Sequence, residues 1–291
     1  MLSIVLGAIG RHRYQETSVS VHTDLKRISV PQLMACKGQR KIASLTAYTA
    51  PFARLLDDYL DMILIGDSTA MVGYGLPNTL SITVDQMAAH AAAVVRSTQK
   101  ACIIVDMPFG SYQESTQQAF ANAAKVLAAS GADGIKMEGG AVMADTTRFL
   151  VERGVPVLAH VGLMPQYVHT MGGFKAQGMT DEAAERILHD ALAHEQAGAF
   201  GVVLEGVAEA LARRITKTLK IPTIGIGASP DCDGQILVTE DILGLSGARI
   251  PKFARQFADV GAVIRGAVEQ YANGVRDGSF PGLENCFGVK K

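Results

Sequence analysis

The sequence predicts an α/β protein folded as a single (β/α)8 barrel, and three observations lead there. The chain has 291 residues, 48% of them hydrophobic and 19% charged, which suits one large core in a fold that usually takes about 250 residues. From about residue 41 short apolar, β-branched runs alternate with Ala-rich amphipathic stretches, the pattern of repeated βα units around a parallel sheet. No Ser-, Pro- or charge-rich linker divides the chain and no repeat beyond this rhythm is present, so the units belong to one closed sheet of the TIM-barrel type.

In chain order the predicted strands are Lys41–Thr46, Met62–Ile65, Ala101–Val105, Gly134–Met137, Val155–Ala159, Gly201–Leu204 and Pro222–Ile226, with a weaker eighth at Ile242–Leu245. Each reads as nearly continuous hydrophobic sequence, as strands covered on both faces should. The helix-like segments between them include Val84–Ser97, Thr116–Ser130, Asp181–Ala197 and Ala208–Leu219. The segment at Val84 begins with a capping-box pattern, Thr83 with Gln86 three residues on, which satisfies exposed amide donors at a helix start. Glycines at 131, 154 and 198 stand between a helix and the following strand, where helices commonly stop. A doubly wound open sheet is the rival fold. It would place a G-x-G-x-x-G after the first strand, and Leu45-Thr46-Ala47-Tyr48 is unlike one.

Residues 25–291 are thus expected to form one barrel domain, with residues 1–24 an accessory extension. Met1–Gly10 is apolar, but it is too short to span a bilayer, and its charge follows the apolar run at Arg11 and Arg13, the reverse of a secretory signal. Lys and Arg number 27 against 28 Asp and Glu. This balance argues against nucleic-acid partners, which need a basic face, and against an electrostatic membrane anchor. Trp is absent and aromatic residues make up 6%, so stacking platforms for single strands are scarce. Cys36, Cys102, Cys232 and Cys286 lie far apart without metal-finger spacing and are expected as free thiols in a reducing cytoplasm. Small-molecule chemistry is what remains.

In such barrels the active site lies at the C-terminal ends of the strands. Here those ends carry Asp67, Asp106, Lys136, Glu138, His160 and Glu205. A single charged residue there is often only a turn or helix cap, but strand ends converge, so a set of them should face one pocket. Asp67, Asp106 and Glu138 supply carboxylate oxygens with one His and no Cys nearby, which suits a hard cation, Mg²⁺ before Zn²⁺. Lys136 and Glu138 are two apart and share one face of a strand. That places an ammonium beside the acids, fit to bind a substrate carboxylate or a developing oxyanion; the competing reading is an internal ion-pair network. Glu205 is left free as a general base. A chelated 2-oxo acid beside a carboxylate base points to enolate chemistry.

Weaker signals read as structure. The glycines of Gly225-Ile226-Gly227-Ala228 suit tight packing better than a phosphate cradle. His90, within a helical stretch, reads as a satisfied structural histidine, and the 11 Met residues as core filling. Gly172-Gly173-Phe174-Lys175 reads as a mobile loop over the mouth with glycine hinges.

The motifs TAY at 46–48, IGDS at 65–68, DMPF at 106–109, KMEGG at 136–140, HVGLMPQ at 160–166, GGFKAQG at 172–178, VLEG at 203–206, IGIGA at 224–228, DGQIL at 233–237 and PKFA at 251–254 occur in this order. As a set, from about residue 25 to the C-terminus, they resemble the ketopantoate hydroxymethyltransferase (3-methyl-2-oxobutanoate hydroxymethyltransferase) family. The resemblance implies a cytoplasmic, Mg²⁺-dependent (β/α)8 enzyme of pantothenate biosynthesis, assembled as a large homo-oligomer, often a decamer. Its reaction moves a hydroxymethyl group from methylenetetrahydrofolate to 3-methyl-2-oxobutanoate. By motif, Asp67 and Asp106 correspond to metal ligands, joined by Glu138 directly or through water. Asp67, Ser68, Asp106 and Lys136 correspond to ketoacid contacts, Glu205 to the acceptor of the C3 proton, and His160 lines the same site. The chain departs from the family pattern at Thr49 after TAY, at Ser81, at Ser229 after IGIGA and at Asn285. Two further readings are a Mg²⁺-dependent C–C lyase of the isocitrate-lyase kind, whose KKCGH-like loop is missing from this sequence, and a non-catalytic ketoacid-binding barrel.

Overall fold

A computed structural model describes residues 27–173, 175–247 and 250–289. Its elements run α1 (Val30–Met34), β1 (Ile42–Thr46), α2 (Ala50–Leu56), β2 (Met62–Ile65), α3 (Thr69–Val72), α4 (Val84–Val95), β3 (Cys102–Asp106), α5 (Thr116–Ser130), β4 (Gly134–Glu138), α6 (Ala144–Val151), β5 (Val157–Gly162), α7 (Val168–Met171), α8 (Asp181–Gln196), β6 (Gly201–Glu205), α9 (Glu209–Thr218), β7 (Thr223–Ile226), β8 (Gly234–Leu237), α10 (Thr239–Leu243) and α11 (Val260–Asp277). The strands form a closed parallel barrel in sequence order, β8 pairing back onto β1 with Ile42 opposite Gly234.

Seven of the expected strands are present. The eighth is corrected: β8 is Gly234–Leu237, in the DGQIL stretch, while Ile242–Leu245 falls in α10 and the turn after it. β8 is short and half-exposed, with Gln235 facing out, so its apolar signal is faint. The richer run at Ile242 belongs to a helix that begins two residues after the strand ends. The accessory extension at 1–24 lies outside the described residues.

Local chemistry fixes the helix ends. Thr83 Oγ1 accepts from the Gln86 amide at 3.3 Å, and the Gln86 side chain accepts from the Thr83 amide at 2.9 Å, closing the capping box of α4. The Ser115 and Thr180 hydroxyls cap α5 and α8 by accepting from the Gln118 and Ala183 amides, without the reciprocal bond. Gly131 ends α5 at φ 74°, a left-handed conformation that costs glycine little.

The inside of the barrel is layered by the strand period of two. Ile42, Met62, Leu64, Cys102, Ile104, Leu158, Val203, Ile224 and Ile236 belong to one buried cluster, joined from below by Leu33 of α1 and by Phe200. Two residues beyond Ile104, Leu158 and Val203 come Asp106, His160 and Glu205, on the same face of their strands. An apolar floor therefore lies directly under a charged layer. The outer faces of β2 to β5 pack against α4, α5 and α6 in a separate large cluster. Those of β5 and β6 pack against α8 and α9. Among the described helices none is long and apolar enough to cross a membrane. Cys36, Cys102 and Cys232 are buried and Cys286 exposed, all as free thiols.

Candidate active site

The strand ends bring the expected residues together. Ladder register sets Asp106 beside Lys136, Glu138 beside His160, and Gly162 beside Glu205. Gly162, at φ 99°, is obligatory here: a β-carbon would meet the Glu205 carbonyl oxygen at 2.5 Å. Asp67 follows the end of β2, and its backbone amide donates to Asp106 Oδ2 at 3.0 Å. Ser68 Oγ lies 2.8 Å from the Tyr48 hydroxyl. Between them, a β-carbon on Gly66 would stand 2.7 Å from Ser68 Oγ and 3.7 Å from Asp106 Oδ2, so the bare glycine lets the Asp67-Ser68 turn close onto Asp106. Asp67, Asp106, Lys136, Glu138 and His160 are all buried; the Glu205 side chain keeps 16% exposure and faces the mouth.

Lys136 Nζ stands among the acids, 3.0 Å from Asp106 Oδ1 and 4.0 Å from Glu138 Oε1. His160 links two carboxyl groups, with Nδ1 3.3 Å from Glu138 Oε1 and Nε2 3.3 Å from Glu205 Oε2. Burial and the nearby Lys136 pull the imidazole pKa down, but Glu138 and Glu205 prevail and raise it to about 9, so the ring is cationic at neutral pH. Burial alone would push Glu138 up. His160, Lys136 and the Gln166 amide hold it below the usual carboxylate range instead. Asp67 is pushed well above that range by burial and by repulsion from Asp106 and Glu138, which Lys136 and Gln166 only partly offset. Burial likewise raises Asp106 against the pull of Lys136. Four carboxyl groups thus face one ammonium and one imidazolium, and the cluster is short of positive charge.

That shortfall is the test of fit for a hard divalent cation. Asp106 Oδ1 and His160 Nε2 are buried without a hydrogen-bond partner among the described residues, since their close charged neighbours lie off hydrogen-bonding angles. The donors are carboxylate oxygens, the ligands Mg²⁺ prefers. Among the described residues, however, no three His, Cys, Asp or Glu side chains form a ready-made metal cage. The physical reason is visible in the contacts: Gln166 holds Asp67 Oδ2, and both oxygens of Glu138 already have neighbours in His160 and Gln166. Mg²⁺ characteristically keeps several waters and takes only one or two carboxylates directly. The set fits such a site: Asp67 and Asp106 could bind the ion directly, and Glu138 directly or through water.

Two residues of this site carry no signal at the strand ends. Gln166, in a 3₁₀ turn (Pro165–Tyr167) after β5, is buried and donates to Asp67 Oδ2 and the Met107 carbonyl, both at 2.9 Å. Tyr112, fully buried in the loop after β3, meets it at 2.7 Å through its hydroxyl. Gln166 closes the HVGLMPQ motif, but nothing in its type or spacing distinguishes it from a loop glutamine. Tyr112 stands in the Ser111–Glu114 stretch with no periodicity to mark it.

The weaker signals resolve structurally. His90 bonds the Tyr48 carbonyl through Nδ1 at 2.7 Å and the Tyr74 hydroxyl through Nε2 at 2.8 Å. Gly225 and Gly227 press against Gln235 and the Phe253 ring, as packing glycines do. Phe174, in the middle of the expected mobile loop, lies outside the described residues. The loop beyond it is tied to the end of β6, where the Gln177 amide donates to the Gly206 carbonyl at 2.7 Å. Of the departures, Thr49 starts α2 without a side-chain cap. Ser229 accepts from the Asp231 amide at 3.1 Å, and Asn285 accepts from the Gly282 amide at 3.1 Å. Neither Ser229 nor Asn285 touches the charged cluster through these bonds.

Among solved structures, the fold is similar to 2,3-dimethylmalate lyase, a member of the PEP mutase/isocitrate lyase superfamily, with a TM-score of 0.57 at 17% identity over 89% of this chain and 90% of that one. It is also similar to a phosphonopyruvate hydrolase in complex with oxalate and Mg²⁺, with a TM-score of 0.57 at 15% identity over 88% of this chain and 93% of that one. At such identities the likeness establishes the barrel. Sequence relatives go further: the 3-methyl-2-oxobutanoate hydroxymethyltransferase of Bordetella petrii is 56% identical over 272 residues, covering 94% of this chain and 99% of the relative. Residues 27–283 match the sequence profile of ketopantoate hydroxymethyltransferase, so by its sequence the chain belongs to the ketopantoate hydroxymethyltransferase family.

Proposed function

We propose that this enzyme transfers a hydroxymethyl group from methylenetetrahydrofolate to 3-methyl-2-oxobutanoate, with Glu205 as the base that removes the C3 proton. One observation carries the reading: the inward positions at the ends of adjacent strands β3 to β6 bear Asp106, Lys136, Glu138, His160 and Glu205, gathered above an apolar floor. Such a cluster holds the polar end of a ketoacid and leaves one carboxyl group at the mouth.

A bound Mg²⁺, held by Asp67 and Asp106 and by Glu138 through water, would supply Lewis-acid polarisation of the 2-oxo acid. The residues supply the rest. Lys136 brings a fixed positive charge within reach of the substrate carboxylate or keto oxygen. Its own pKa, which burial alone would lower, is raised by Asp106, Glu138 and Asp67, so the ammonium keeps its proton. Ser68, oriented by Tyr48, offers a hydroxyl at the same turn. Glu205 Oε accepts the C3 proton and the electron pair moves toward the keto oxygen; C3 then bonds to the methylene carbon of the folate as its two C–N bonds break, a water supplies the hydroxyl, and the folate nitrogens take up the C3 proton and the second proton of that water. The cationic His160 flanks Glu205 and holds it toward the interior.

The reaction is read as cytoplasmic, which the reduced cysteines support, and as that of a homo-oligomer, a decamer by the resemblance. The apolar stripe of α11 supports assembly with further copies of the chain: Ile264, Val268, Tyr271 and Val275 recur on one helix face and are 48–61% exposed, while only Gly261 of that helix is buried. The test of function is turnover of 3-methyl-2-oxobutanoate with methylenetetrahydrofolate, alongside solvent-isotope exchange at C3 without folate. Turnover and exchange in the wild type, both lost in Glu205→Gln, would support the reading; exchange at the wild-type rate in Glu205→Gln would remove that residue from the role of base.

A further inference from the structure

Outside the strand-end set, the most completely bonded buried polar side chain near the site is Gln166. Its amide nitrogen donates to Asp67 Oδ2 at 2.9 Å and to the Met107 carbonyl at 2.9 Å. Its amide oxygen accepts from the Tyr112 hydroxyl at 2.7 Å and from Gln113 Nε2 at 3.3 Å. Its backbone amide donates to Glu138 Oε2 at 3.0 Å. One residue thus grips two of the acidic side chains, Asp67 through its side chain and Glu138 through its main chain.

The orientation of the amide follows from its neighbours. A phenol is protonated at neutral pH, so the Tyr112 hydroxyl has one hydrogen to give. That oxygen accepts from the Glu138 backbone amide at 3.2 Å, and of the two acceptors in reach of its hydrogen, Gln166 Oε1 at 2.7 Å and the Glu138 carbonyl at 3.1 Å, the shorter contact is to Gln166. A closed circuit results, from the Glu138 backbone through Tyr112 to the Gln166 side chain, and from the Gln166 backbone to the Glu138 carboxylate. Flipping the amide would set Oε1 against both Asp67 Oδ2 and the Met107 carbonyl, two acceptors facing an acceptor, so the nitrogen stays toward Asp67. The bond engages Oδ2 alone, and a carboxylate pinned by one oxygen presents the other in a fixed direction.

We propose that Gln166, locked by Tyr112, is a positioning residue for a divalent cation: it pins Asp67 and Glu138 at a fixed separation, offsets their mutual repulsion, and thereby sets the affinity of the site for the ion. The inference rests on the metal reading given above. Supporting residues of this kind typically change metal affinity by about 10- to 100-fold when removed.

The test is binding of Mg²⁺ alone to the full-length protein by calorimetry, with Mn²⁺ electron paramagnetic resonance as a second probe and thermal melting to establish folding. Gln166→Met keeps length and burial but removes both side-chain donors. It should weaken Mg²⁺ binding by about 10-fold or more, and raising Mg²⁺ should recover most of kcat, a split that a merely structural lesion would not show. Tyr112→Phe keeps the ring and frees the amide to turn, so affinity should fall in the same direction by a smaller factor. Folded variants that both bind Mg²⁺ within about twofold of the wild type would overturn the inference while leaving the metal reading intact. Failure of both variants to fold would assign the pair to the fold alone and overturn it too. A wild type that binds neither Mg²⁺ nor Mn²⁺ would sink the metal reading, and the inference with it.

Discussion

His160 Nε2 and Glu205 Oε2 stand 3.3 Å apart across the β5–β6 ladder, and the same ring reaches Glu138 from its other nitrogen. The imidazole therefore bridges the carboxyl groups of Glu205, at the mouth, and Glu138, below it.

Replacing it should cost stability and rate together. In His160→Asn the buried Glu138 loses its nearest cation, and removing one partner of a buried pair costs about 3–5 kcal/mol, the upper part of which Lys136 offsets by remaining in place. The base loses its orienting neighbour, so kcat/KM should fall by at least about tenfold, equivalent to about 1.4 kcal/mol. Thermal melting and the C3 exchange rate, measured on one preparation, check both; wild-type values for either would contradict the account.

Asp67→Ala removes a proposed direct ligand and the acceptor for Gln166. The Mg²⁺ concentration giving half-maximal activity should rise by about tenfold or more, read from a Mg²⁺ titration of turnover. Because Asp67 is raised by burial and like-charge repulsion, its loss should spare the fold, and the melting temperature should stay near that of the wild type or exceed it.

Behind the charged layer, His194 of α8 is fully buried, with Nδ1 3.0 Å from Thr147 Oγ1 and Nε2 2.9 Å from the Gly139 carbonyl. Burial lowers its pKa, so the folded protein binds fewer protons here than the unfolded chain, whose histidine titrates near about 6.5. Stability from this group is present above about pH 6.5 and is lost as pH falls toward the depressed folded value, at up to about 1.4 kcal/mol per pH unit. His194→Gln, which keeps a donor for Gly139, should flatten the dependence of unfolding free energy on pH between about 6.5 and 5. Urea titrations at several pH values provide the comparison, and an equally steep slope in the variant would exclude His194 as the source.

Val268, 59% exposed in the middle of the α11 stripe, should tolerate a charge in an isolated chain and not in an assembly. Val268→Glu should shift the light-scattering mass toward smaller species while the circular dichroism spectrum stays unchanged. An unaltered mass would place the subunit contacts elsewhere.

Much of this molecule is legible in its sequence, and the parts that are not share a cause. Strands β2 to β7 stand out because both faces are covered, which leaves long apolar runs such as Met62–Ile65 and Cys102–Asp106. β8 does not, because Gly234 and Gln235 give it almost no apolar signal and α10 follows it at once. Asp106, Lys136, Glu138, His160 and Glu205 announce themselves as charge at the end of hydrophobic strands. Gln166 and Tyr112 act through contacts 54 residues apart in sequence, and no local pattern encodes such a meeting. Among the described residues no three-ligand cage is formed, and the oxygens of Asp67 and Glu138 are held by Gln166 and His160, contacts that no local sequence pattern encodes.

The apolar plug beneath the charged layer also governs traffic. Leu33, Phe200 and the inward residues of the strands fill the lower end of the barrel with apolar side chains, which leaves the mouth as its polar side. On the proposed mechanism, a proton captured at Glu205, which keeps its exposure at the mouth, returns to bulk on the side from which the substrate came. Entry, exit and acid–base renewal all share a single doorway, so whatever covers that doorway during a catalytic cycle also stops the clock on the next one.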